Sequence, residues 1–206
     1  MKRMIYYLTN TLLVLSLSFS MSCGDDPVNP VNPDDPQKPQ GEEPGTPSVT
    51  LKVGQSYQGG IIAYIDGTGK HGLIAAATDI SDGVRWNNGT DFMVTTSTAV
   101  GTGGNNTERI VGLQGDGVYA AKLCYDLVLN GFSDWFLPSS GELRELWTKR
   151  LEIGGFENMG NYWSSSELPS YYFCAYYLSW VSGDWDTRAS YAAKSNIYRV
   201  RPCRYF

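Results

Sequence analysis

The sequence predicts an α+β fold in which two helices pack on a small twisted antiparallel sheet. Three observations carry this reading. An apolar stretch folded about glycines opens the folded part, two segments with helical spacing occupy the middle, and short aromatic runs separated by turn residues fill the end. With 206 residues, 23 glycines and 13% aromatic side chains, the chain suits one domain of short elements joined by many turns.

Two segments of another kind come first. Residues 1–22 read as a leader: Lys2 and Arg3 give a positive start, and Leu12, Leu13, Val14, Leu15, Leu17 and Phe19 form a short apolar run. Small residues then lead to Cys23, a single cysteine at the expected cleavage point. Residues 23–48 hold seven of the ten prolines and almost nothing apolar, so this stretch is expected to stay a disordered, polyproline-biased tether.

The folded domain is expected over residues 49–206. "GGIIAYIDGTGKHGLIAAA" predicts a hairpin, with strands over 61–65 and 72–77 and a turn through Asp66 and Gly67. Its Gly67, Gly69 and Gly72 match a G-x-G-x-x-G spacing, but no helix opens behind them, which excludes a dinucleotide loop. His71 reads as a surface turn residue. Residues 78–106 read as loop, anchored by Trp86. In "GTGGNNTERIV" the helix N-cap falls on Asn106 or Thr107, and the glycines lack the Lys-Ser/Thr that a phosphate loop requires. The spacing of Ala120, Ala121, Cys124, Leu127 and Val128 predicts an amphipathic helix over 118–129, stopped by Asn130-Gly131. "DWFLP" reads as a short aromatic strand. Ser139 with Glu142 then forms a capping box for a helix bearing Leu143, Leu146 and Trp147. Strands are expected at "NYWSSSE", over 175–180, from Trp185 after a turn at 182–184, and over 198–205.

Composition limits the chemistry. A net charge of −5 without a block of Lys or Arg argues against nucleic acid as a partner. With a single histidine, any His-dependent catalytic or metal site would rest on His71 alone. No cofactor is expected.

Residues 170–206 are crowded with Tyr, Trp, Ser and Asp, contain no Glu, Gln or Met, and hold one lysine. Tyr offers large amphipathic contact area at little rotamer cost, and Ser and Asn add adaptable hydrogen bonding. The residues expected to meet a ligand are Ser170, Tyr171, Tyr172, Phe173, Asp184, Asp186, Thr187, Arg188, Ser190, Tyr191, Ser195, Asn196 and Tyr198. Trp180 and Trp185 are expected to pack the core. The ligand expected is an extracellular protein or a glycan.

"SFSMSC" resembles the relaxed lipobox of bacterial lipoproteins, in which the cysteine is lipidated; this implies acylation of Cys23 and placement at the outer membrane or cell surface, with the lipid as the only membrane contact. "NGFSDWFLPSSGELRELW", "YWSSSE", "AYYLSW" and "RVRPCRYF", in that order over roughly residues 54–206, resemble a bacterial lipoprotein family with a C-type-lectin-like domain, also found at the C-terminus of collagen-like adhesins. The resemblance implies a non-catalytic binding protein, with two helices on a small sheet and the chain ends close together. Some members of this fold are variable proteins of diversity-generating retroelements, in which adenines of Asn codons (AAC) are scattered. Such scattering reaches most residue types but not Lys, Glu, Gln, Met or Trp. Within the expected variable region, 168–198, Trp180, Trp185 and Lys194 would then be fixed framework positions. Two alternatives stay open beside this reading. One is a relative of formylglycine-generating enzymes using Cys174 and Cys203, for which a disulfide or two unpaired thiols is the more ordinary reading. The other is a calcium-dependent lectin, for which Asp184-Trp185-Asp186 is a poor ligand set.

Overall fold

The computed structural model describes residues 50–179 and 190–206. The leader, Cys23 and the tether lie outside the described residues, as do Trp180, the turn at 182–184, Trp185, Asp184, Asp186, Thr187 and Arg188. In chain order the elements are β1 (Ser56–Tyr57), β2 (Gly60–Ile65), β3 (Gly72–Ala75), β4 (Ser81–Val84), α1 (Gly103–Gln114), α2 (Ala120–Tyr125), α3 (Ser140–Thr148), α4 (Arg150–Ile153), β5 (Asn161–Glu167), β6 (Cys174–Ser179), β7 (Ser190–Ala193), β8 (Tyr198–Val200) and β9 (Cys203–Tyr205). The fold is mixed α+β. In place of one small sheet and two helices, the described residues form two sheets and four helices. The sheet orders are β1-β2-β3-β9 and β4-β8-β5-β6-β7, antiparallel throughout except for the β5–β8 pair.

The β2–β3 hairpin forms where expected. Asp66 Oδ1 accepts hydrogen bonds from Thr68 N (3.0 Å) and Thr68 Oγ1 (2.6 Å), an Asx turn, and His71 is exposed at its end. β3 then pairs with β9 through Leu73–Tyr205 and Ala75–Cys203. The Tyr57 ring of β1 meets the ring of the terminal Phe206 edge-on at 5.4 Å, so the two ends of the described domain touch.

Expectations for the middle of the chain need correcting. Asn106 and Thr107 do not cap α1: the N-cap is Thr102, and both residues are buried within the helix. Their side chains serve distant backbone instead. Asn106 accepts from Ser97 N (2.9 Å) and donates to Ser97 O (2.7 Å), while Thr107 Oγ1 accepts from Leu137 N (3.0 Å). The helix begins earlier because Gly103 allows close approach: a Cβ there would lie 2.2 Å from Glu142 Oε2 and 2.8 Å from the Phe136 ring. α2 spans six residues rather than the twelve of 118–129. Asn130 and Gly131 adopt left-handed conformations (φ 53° and 83°) in a tight turn that bridges Leu129 to Phe132, so they build a turn and do not end a helix. Within the segment read as loop, residues 81–84 form β4, paired with β8. "DWFLP" reduces to a single bridge, Phe136 to Cys203.

The capping box forms as predicted. Ser139 Oγ accepts from Glu142 N, and Glu142 Oε2 accepts from Ser139 N (2.7 Å). Leu143 and Leu146 are buried, whereas Trp147 is half-buried, with the Arg150 guanidinium 3.9 Å over its ring. The single strand expected over 198–205 is two strands in different sheets. The break is at Arg201-Pro202, where proline has no N–H to donate to a ladder. Arg201 turns inward there. Its Nε donates to Asp79 Oδ1 (2.6 Å), its guanidinium donates to the carbonyls of Ala76, Ala77, Gly154 and Gly155, and it stacks over Phe156 at 4.1 Å. The largest core cluster gathers Trp86, Ile110, Tyr119, Cys124, Leu137, Trp163 and Val200, joining α1 and α2 to the five-stranded sheet.

Candidate functional site

The expected ligand residues fall on the β6–β7 hairpin and the segments flanking it, and their support is built from buried residues. β5 carries Trp163, which is fully buried and donates from Nε1 to Val84 O (2.9 Å). The alternating Ser164 and Ser166 hydroxyls face polar partners, Tyr176 O (2.7 Å) and Ser97 O (2.7 Å), which explains a "SSS" run with no exposed residue. β6 pairs antiparallel with β5, and β7 with β6, in the register Cys174–Ala193, Ala175–Ala192, Tyr176–Tyr191 and Tyr177–Ser190.

One charged pair is sealed beneath this hairpin. Lys194 Nζ donates to Glu167 Oε1 (2.5 Å) and to Phe92 O (2.8 Å), and sits 4.5 Å over the Trp86 ring. Glu167 Oε2 accepts from Val94 N and Thr95 N (both 2.8 Å). Both residues are buried, so each charge meets an opposite charge and backbone dipoles in place of water. The pair ties the loop before α1 to the turn that follows β7. Lys194 is also the one described residue of the region 168–198 that scattered AAC codons cannot produce, and it is fully buried.

Above that frame the aromatic residues are open. Tyr171, Tyr172, Phe173 and Tyr191 are 49%, 52%, 43% and 57% exposed, against the usual burial of large rings. They touch one another: Tyr171 lies parallel to Tyr191 at 6.5 Å and edge-on to Phe173 at 5.8 Å, and Tyr172 meets Phe173 at 5.6 Å. Ser170, Ser195 and Asn196 are exposed beside them in the chain, and Ser190 is half-buried. Tyr198 departs from the expected exposure. It is half-buried, packed on Trp163 at 4.5 Å and Tyr177 at 4.7 Å, because β8 is an interior strand of its sheet, held between β4 and β5. Asn196 Nδ2 donates to its hydroxyl (2.9 Å). Sequence reasoning missed Phe92 and Met93. Both are exposed on the loop whose backbone Lys194 holds, and their signal is the apolar run Phe92-Met93-Val94 in an otherwise polar stretch.

The three described thiols stand apart and are shielded from water. Cys174 and Cys203 are unpaired and lie in different sheets. Burial pushes the Cys203 thiol, like that of Cys124, well above its ordinary value. It also raises Cys174, with the Lys194 charge opposing. Reactive cysteines need the opposite shift. Among the described residues no three His, Cys, Asp or Glu side chains converge as a metal site would require. Among them too, no helix is long and apolar enough to cross a membrane. No protein-family model matches the chain, and no curated protein matches it.

Proposed function

We propose that this chain is a surface-anchored ligand-binding protein, with a C-type-lectin-like domain that presents the aromatic face of the β6–β7 hairpin to an extracellular protein or glycan. It binds its ligand and does not transform it. Lipidation at Cys23 and the proline-rich tether hold the domain off a bacterial outer membrane or cell surface, and the hairpin belongs to a retroelement-diversified region. The observation that carries this reading is the pairing of a buried, charge-locked frame with a continuous group of four exposed aromatic rings. Single exposed apolar residues are ordinary, but a contiguous aromatic group formed by the turn before β6 and by β7 is the composition of a binding hot spot. The contact of Tyr57 with the terminal Phe206 is in keeping with the chain ends lying close together, as this reading needs.

The test is a panel of glycans and extracellular proteins probed with the full chain and with a variant carrying Ser at 171, 172, 173 and 191. The wild type is expected to bind a limited set, and the variant to lose that set while keeping its melting temperature. A variant that binds as the wild type does, or that unfolds, removes the hairpin as the binding surface.

A further inference from the structure

A concave site lies on the other sheet. The turn after β2, the end of β9 and the loop before α1 enclose an open cleft of about 260 Å³, walled by Tyr64, Asp66, His71, Val100, Tyr205 and Phe206. Strand register builds its floor. Tyr64 pairs with Leu73, and Leu73 with Tyr205, so the three side chains form one row across three strands.

Two of the rings, Tyr205 and Phe206, are held by contacts of the protein itself. Tyr205 leans on Phe136 at 4.5 Å, and its hydroxyl donates to the buried carboxylate of Glu142, which pushes electron density into the ring. Phe206 is held edge-on by Tyr57 and covers Gly72, where a Cβ would come within 2.6 Å of the ring. Asp66 supplies the charge. Both Thr68 hydrogen bonds fall on Oδ1, and they hold the carboxyl below its usual range, so it is ionised at neutral pH. No Lys or Arg belongs to the walls.

We propose that this cleft binds a small alkylated ammonium compound, with the faces of Tyr64, Tyr205 and Phe206 taking the cation and Asp66 balancing its charge. An anion would meet a carboxylate and negative ring faces. A neutral apolar ligand would suit the rings but make no use of Asp66. The volume suits an ammonium head with a short chain and falls below the roughly 300–1,000 Å³ of sites for larger ligands. Preformed walls spare the ligand the cost of ordering them.

The experiment is a titration of the full chain, followed by calorimetry or ring-proton chemical shifts, with choline and its neutral isostere 3,3-dimethylbutan-1-ol. Choline is expected to bind saturably, and about tenfold more tightly than the alcohol. Asp66→Asn, in an exposed turn, is expected to weaken choline by about fivefold at an unchanged melting temperature. Val100→Trp, which fills the cleft from an exposed position, is expected to abolish binding of both ligands. Equal affinity for the two ligands, indifference to Asp66→Asn, or no saturable choline binding at tens of millimolar overturns the proposal. So does binding confined to phosphatidylcholine vesicles. The hairpin variant with four serines is expected to bind choline normally, which keeps failure here distinct from failure of the hairpin reading.

Discussion

Lys194 and the tyrosines around it separate two kinds of residue that composition alone does not distinguish. Removing the ammonium by Lys194→Met would leave Glu167 buried without its cation and release Phe92 O, an expected cost of about 3–5 kcal/mol in urea melts. The double variant with Glu167→Gln is expected to regain part of that loss, because the uncompensated charge is gone. Tyr171→Ser, Tyr172→Ser and Tyr191→Ser are each expected to stay within about 1 kcal/mol of wild type, as exposed sites do. Tyr198→Ser is expected to cost more, on the order of 2 kcal/mol, since its ring packs on Trp163 and Tyr177. A result that ranks Tyr171 with Lys194 would contradict the division of the hairpin into frame and face. The lone lysine could be singled out in the sequence by residue type. Its partners could not, because Glu167 and Phe92 stand 27 and 102 residues away and no local pattern links them.

At the scale of the element, the carboxylate of Glu142 ties two helices together. It closes the capping box of α3 and also accepts from Gly101 N (2.8 Å) and from the Tyr205 hydroxyl, beside the first turn of α1. The glycine-rich segment that lacks a phosphate-loop lysine thus binds an internal anion supplied by the chain itself. Ser139→Ala is expected to cost about 1 kcal/mol, the usual worth of a cap. Glu142→Ala is expected to cost at least about twice that, because it strands several buried donors at once. Equal denaturation midpoints for the two variants would refute the bridging role. The cap was legible because S-x-x-E is a local spacing. The start of α1 was not, because it depends on the close approach of Gly103 to Phe136, two segments distant in sequence. Nor was the shortness of α2, whose apolar period continues into residues that turn away to cover the first sheet.

For the whole molecule, α+β was legible from the order of periodicities, while the division into two sheets was not. That division rests on β3 pairing with β9 and β4 with β8, contacts between opposite ends of the domain. Alkali tests the assembled fold. Burial raises the phenols of Tyr119 and Tyr162 to about 12, and burial with the Glu142 hydrogen bond raises Tyr205 further. In each case the unfolded chain loses its proton first, so the stability these groups contribute is complete below about pH 10 and falls as pH climbs beyond it. Urea midpoints that are level from pH 8 to 9.5 and then decline, with phenolate absorbance appearing late, are expected. A midpoint unchanged up to pH 11.5 would contradict the buried phenols. Anchoring is tested separately: wild type should enter the detergent phase and Cys23→Ala should remain aqueous. Equal solubility would rule out the lipid.

The register of the hairpin has a consequence for how this protein could change over generations. Cys174 faces Ala193 and Tyr177 faces Ser190, and one step beyond Ala193 stands the sealed Lys194. Inserting or deleting a single residue between 190 and 194 would turn every side chain of β7 to the opposite face and carry the ammonium out of its socket. Of the four residues of β7 only Tyr191 is exposed, so a change of side chain is expected to be tolerated there, whereas a change of chain length is not. Relatives of this domain should therefore differ in that strand by substitution alone, and an alignment that needs a gap between 190 and 194 would mark a different hairpin.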